Sequence, residues 1–169
     1  MKRTFFKTLS LVIAVFVLAS LSLSAFAEKA ALKTTQQFID YLESEDCKYS
    51  LVGYSEGAER VNVSFSLKNL DSAKCVIFFD DDLDSVSFRI WNIITASAGK
   101  NYILSTVNSL NKDYKFVKFV FDESDSTIQV ESDIYIDEDH CGECVFDNMM
   151  TLFTIIDYDD VAKKLQSLE

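Results

Sequence analysis

Between Arg60 and Leu67 the chain reads RVNVSFSL, which sets Val61, Val63, Phe65 and Leu67 on one side of a strict alternation and Asn62, Ser64 and Ser66 on the other. Side chains of a strand point alternately to its two faces, so this pattern belongs to a sheet that buries one face and leaves the other polar. The same period recurs on either side. Before it, Tyr49, Leu51 and Gly53 alternate with polar residues until YSEGAER turns the chain back. After it come CVIFFDDDLDSVSFRI and KFVKFVFDESDSTIQVESDIYI, each a pair of apolar strands around an acidic turn. Parallel neighbours need a long crossover. Four of these strands follow one another with only turns between them, so the sheet is expected to be antiparallel.

Helices take up the remaining segments. Thr34 and Gln37 have the spacing of a capping box, and Phe38, Tyr41 and Leu42 then share a helical face up to about Glu45. A second helix is read over SAGKNYILSTVNSLNKDY, with Ile103, Val107 and Leu110 inward and Asn111 placed to close it. The last is long and amphipathic, carries Val145, Met149, Leu152, Phe153 and Ile156, and is interrupted around Asp157-Tyr158-Asp159 before resuming to Leu168. The expected class is α+β, an antiparallel sheet of five to six strands with three helices in the order α-ββββ-α-ββ-α. Proline is absent and the 4 glycines stand singly. Nothing marks a linker, so residues 28–169 are expected to form a single domain.

Residues 1–27 read differently. The basic start MKRTFFK, the apolar run that follows and the small-x-small exit Ala25-Phe26-Ala27 together make a secretory signal peptide, with Glu28 as the first residue after cleavage. The stretch from Leu9 to Ala27 is nearly long enough to span a bilayer as an uncleaved anchor, but the cleavage site favours processing. No cysteine adjoins that site to carry a lipid. The protein is therefore expected to be secreted or periplasmic, with no membrane attachment after cleavage. The whole chain has a formal net charge of −11, and removing Lys2, Arg3 and Lys7 makes the remainder more acidic still. Such a surface repels phosphate backbones and anionic lipids, which excludes nucleic acid as a partner class.

The chemistry-bearing stretch is DEDHCGECVFDN, residues 137–148, with Cys141 and Cys144 in a C-x-x-C spacing beside His140, the only histidine. It supports three readings: a redox dithiol, half of a metal site, or a stapled turn. A thiol at a helix start is activated by the helix dipole. Against redox work, no βαβ context surrounds the pair and no proline exists to face it. Zinc needs four ligands, and Cys47, Cys75 and His140 supply no second close pair. Calcium could be sought at Asp80, Asp81, Asp82 and Asp84, but the glycine and the twelfth-position glutamate of an EF-hand are missing, since Trp91 stands there. A Ser-His-Asp or Cys-His arrangement would have to use His140, which sits beside the cysteines in an acidic turn, and no G-x-S-x-G, H-E-x-x-H or glycine-rich phosphate loop is present. The sequence therefore implies no catalytic residue, no metal site and no cofactor. In a simple meander Cys47 and Cys75 fall two strands apart, roughly 9 to 10 Å between Cα atoms and beyond disulfide reach. Cys141 and Cys144 are accordingly expected to form a local structural disulfide.

The segment VNSLNKDYKFVKFVFDESDSTIQVESDIYID, an N-x-x-N helix end feeding an aromatic strand, an acidic turn and a strand ending in E-S-D-I, resembles the YbjN domain family of bacterial proteins. FIDYLESEDCKYSLV and the terminal helix fall where that family also has helices. The resemblance implies a fold similar to type III secretion chaperones, which often pair as homodimers and offer hydrophobic grooves to other chains. Its common label, a sensory transduction regulator, names no reaction and no catalytic residue. Asn108 and Asn111 match the family's motif, and helix-end hydrogen bonding is the expected role of both. The expected function is an exported, non-enzymatic module, a homodimer that binds a protein or peptide. The alternative is an extracytoplasmic thiol-disulfide protein using Cys141 and Cys144.

Overall fold

Glu56 and Gly57, with φ of 56° and 81°, form the two-residue turn that joins Tyr49–Ser55 (β1) to Ala58–Ser66 (β2). Consecutive positive φ values match the twist of a hairpin. The meander continues through Ser72–Asp80 (β3) and Ser85–Thr95 (β4), and a second hairpin follows in Lys118–Asp122 (β5) and Thr127–Tyr135 (β6). This is a computed structural model, and it describes residues 30–169 apart from 82, 83 and 138. The signal peptide expected over residues 1–27, and Glu28, lie outside those residues. The six strands make one antiparallel sheet in the order β1-β2-β3-β4-β6-β5. The α+β class and the sheet are as the alternation implies, but the helices number four among the described residues, where three were expected. They are Lys33–Ser44 (α1), Lys100–Asp113 (α2), Cys141–Ile156 (α3) and Asp159–Gln166 (α4).

The extra helix comes from the break at Asp157. There the Asp157 carboxylate accepts the backbone N–H groups of Lys68 at 2.9 Å and Asn69 at 2.7 Å, in the turn between β2 and β3. Asn69 returns its side-chain amide to the Asp157 carbonyl and to Asp159. A continuous helix could not present its end to that turn, so the interruption ties the helices to the sheet. Past α4, the buried Leu168 gives its carbonyl to the N–H groups of Ser97 and Ala98, which fixes the exit from β4.

All the helices pack on one face. Val61 and Val63, Cys75, Ile77 and Phe79, Val86, Phe88 and Ile90, and Ile128 and Val130 join Phe38, Leu42, Leu110, Val145, Met149, Leu152 and Leu165 in one core. Every one of these strand residues belongs to the same alternating set, and the intervening residues are missing from the core. No described helix is long and apolar enough to cross a membrane.

Helix α1 buries Thr35, Phe38, Ile39 and Leu42, close to the expected face, but its capping box is not formed. Its N-cap is Leu32, without a side-chain cap. The cap comes instead from Glu59 on β2, which is 2% exposed and accepts the N–H groups of Ala31 at 2.9 and 3.1 Å and of Leu32 at 3.0 Å. Unpaired donors at a helix start favour an anion, and hydrogen bonds to a charged group contribute about 1.5–3 kcal/mol each. Replacing Glu59 by Gln keeps the shape and removes the charge. Glu59→Gln is expected to lower unfolding free energy in urea by about 2 kcal/mol or more, whereas Glu56→Gln, on the exposed turn, should stay within about 0.5 kcal/mol. Equal effects would mean that Glu59 does not hold α1.

Candidate binding face

The structure separates the parts of the C-x-x-C stretch. Cys141 is buried at the start of α3, and its thiol donates to the Thr34 carbonyl of α1 at 3.6 Å. Cys144 is half-buried one turn on, with its sulfur 3.8 Å from the Asn148 amide nitrogen. All four cysteines are free thiols. The disulfide expected between Cys141 and Cys144 is thus not formed, because the helical turn sends one sulfur toward α1 and the other toward Asn148. Burial, reinforced by Cys144, pushes the Cys141 thiol up to about 11, so at this thiol desolvation outweighs the helix dipole. Cys75, opposite Val63 in β2, is pushed by burial up to about 12. Cys47 just precedes β1, and Tyr49 also pairs with Val63, so the two cysteines fall on either side of β2 as the meander implies.

Gly142 explains the motif better. A Cβ placed there would stand 2.6 Å from the Gln37 carbonyl oxygen and 3.1 Å from Tyr41 Cβ. The glycine lets α3 cross α1 at backbone contact, and Tyr41 stacks on Phe146 beside the crossing at 5.2 Å. Gly142 thus gives this stretch a part in helix packing.

Of the other candidates, Asn111 has a clear structural partner. Asn111 lies in the last turn of α2, and instead of capping the helix its amide donates to the Phe119 carbonyl at 2.9 Å while its oxygen accepts the Phe119 N–H at 2.7 Å. It thereby stands in for a neighbouring strand at the β5 edge. Asn108 is exposed on the same helix. His140 is exposed as the N-cap of α3, without a side-chain cap. Asp81 takes a hydrogen bond from the Tyr54 hydroxyl, Asp80 ends β3, and Asp82 is outside the described residues. No three His, Cys, Asp or Glu side chains come together as a metal cluster among the described residues.

What the fold does assemble is the uncovered face of the sheet. The register aligns Gly53, Arg60, Phe78, Ser87 and Asp133 in one row, and Ser50, Asn62, Val76, Arg89 and Glu131 in the next. Phe78 and Trp91 meet edge to face at 6.0 Å. Val76, between them on the same face, is only 5% exposed, while Trp91 remains 43% exposed. Asn92 has a φ of 54° where the β4 register shifts between Ile90 and Ile94. Trp91, the chain's only tryptophan, continues the outward set of Ser87 and Arg89 beside this bulge.

Two arginines flank these rings. Arg60 lies over Phe78 at 6.0 Å and donates to Ser55 at 2.9 Å. Arg89 donates to the Phe88 and Ser132 carbonyls and pairs with Asp133 at 2.9 Å. Burial by itself would raise the Asp133 carboxyl, but hydrogen bonding from Ser87 and the Arg89 guanidinium hold it below the usual carboxylate value. Sequence reasoning missed this face, because Asn62, Ser64 and Arg89 read as the solvated side of ordinary strands.

No family model matches the sequence, and a search of curated proteins gives no match. The structure is similar to the crystal structure of YbjN, a candidate transcription regulator from E. coli, with a TM-score of 0.45 and 13% identity over 72% of this chain and 87% of that one. This is the family that the segment around Asn108 and Asn111 resembles. A likeness of that degree says nothing about what this chain does.

Gly142→Ala is expected to cost about 1–3 kcal/mol by overpacking the α1–α3 crossing, and Cys144→Ser well under 1 kcal/mol. Urea unfolding of the two variants checks this, and the reverse order would return importance to the cysteine pair.

Proposed function

We propose that this chain is an exported, non-enzymatic module that binds another protein or a peptide, and that the uncovered face of the sheet is where it does so. One observation carries the reading. Trp91, Phe78, Arg60 and Arg89 converge on a sheet face that no described helix covers, and tryptophan and arginine are the residues that dominate interface energetics. A mostly flat, preformed sheet offers such groups at little conformational cost. Export is supported by the composition of residues 1–27, and the homodimer by the resemblance to families that pair. The non-enzymatic reading draws support from the exposed, uncapped position of His140 and from the raised Cys141 thiol.

Site-specific photo-crosslinking tests the placement. With a benzophenone amino acid at position 91 or 87 in cells that make the protein, covalent adducts to another polypeptide, or to a second copy, are expected. The same group at position 104, exposed on α2, should give none. Adducts confined to position 104 would move the binding surface to the helical layer.

A further inference from the structure

The charge layout says what kind of chain the face takes. Arg60 and Arg89 are the only arginines among the described residues of a protein with a net charge of −11, and both stand on the uncovered face. Lys74 lies there too, two residues before Val76 on β3 and exposed. The acids of the helical layer, such as Asp40, Glu43, Asp147 and Asp160, sit on the opposite side of the sheet. Among the described residues, Asp80 at the end of β3 lies on this face without an ion pair, and the other carboxylates there are engaged. Asp133 pairs with Arg89, and Glu131 with Lys118 at 3.3 Å. Arg60 and Lys74 meet no carboxylate among the described residues.

Arg60 is incompletely satisfied. Of its five N–H donors, one reaches Ser55, and its Nε is shut from solvent without a partner. Its neighbour across the β1–β2 ladder is Gly53, where an added Cβ would meet nothing within 4 Å. Gly53 therefore brings no side chain against the guanidinium at that position. Phe78 supports it from the other side.

We infer that the uncovered face binds an extended, acidic segment of a partner polypeptide, with carboxylates on Arg60 and Lys74 and an apolar side chain between them against Phe78 and Trp91. This rests on the uncovered face being the binding surface. The spacing follows from the register. Arg60 is level with Phe78, and Lys74 lies four residues from Phe78 along β3, which is roughly 13 Å at the rise of a strand. Same-face side chains of an extended peptide recur about every 7 Å. Acids at positions i and i+4 thus reach both cations, and residue i+2 falls over the rings above Val76. Arg60 offers a bidentate fork and Lys74 a point charge, so the two ends of the segment are not equivalent.

The test uses the purified, signal-free protein and the emission of Trp91, its only tryptophan. The probe is a short synthetic peptide with Glu, Phe and Glu at alternate positions, serine between them and no tryptophan. Saturable binding with a blue shift is expected, weakening as salt screens the charges. Arg60→Glu and Lys74→Glu should each reduce affinity by about tenfold or more, with thermal unfolding as the check that each variant is folded. The matching peptide with Lys for Glu should not bind. Equal binding of both peptides, or affinity unchanged in both variants, would overturn the inference. No peptide binding alongside position-91 crosslinks to a different polypeptide would reject an acidic partner and leave the face as a binding surface. Adducts to a second copy alone would make the occupant this chain itself. Absence of both binding and crosslinks would remove the face as well.

Discussion

The buried carboxylate of Glu59 is the interaction on which the arrangement of layers depends. It stands on the covered side of β2, shut from water, and its oxygens take the free N–H groups that precede α1. A carboxylate in that position is costly unless it is paired, so the strand and the helix start hold each other in place. Two further anchors act in the same sense. Asn111 seals the β5 edge from α2, and Asp157 binds the β2–β3 turn from the end of α3. Gly142 then lets α3 lie directly on α1. With all four described helices drawn to one side, the other side of the sheet is left without a layer among the described residues.

That asymmetry turns a packing result into a functional one. Antiparallel sheets tolerate one solvated face when it is polar, and most of this one is, through Ser50, Asn62, Ser64 and Ser87. Phe78 and Trp91 break the rule at its centre. They sit beside cations in a chain that is otherwise acidic, and the bulge at Asn92 accompanies the placement of the indole. A rigid ring pair framed by Arg60 and Lys74 has the composition of an interface centre.

The sequence made the strands readable because their apolar residues recur with period two and their turns carry Glu56-Gly57 or clustered aspartates. It did not make their order readable. Placing β6 between β4 and β5 depends on pairing across α2, such as Ile90 with Val130, and no local pattern encodes that. Helix α1 was visible through Phe38 and Leu42, but its cap was not, because Glu59 lies far along the chain in a segment that reads as a turn. The C-x-x-C spacing pointed to sulfur chemistry, whereas Gly142 between the cysteines was the informative residue. A glycine within a helical apolar pattern is a signal of close approach. Trp91 lay inside an apolar run, and it is the register of Ser87 and Arg89 that shows it on the outward face.

Hydroxyl-radical footprinting of folded residues 28–169, at a dilution where the chain is monomeric and read by mass spectrometry, tests the one-sided sheet most directly. Trp91 and Phe78 are expected to be oxidised readily, while Phe79 and Phe88, their neighbours on the same two strands, stay protected until the protein unfolds. Protection of Trp91 and Phe78 equal to that of Phe79 and Phe88 would contradict the account, since it would mean that the second face is covered within the monomer itself.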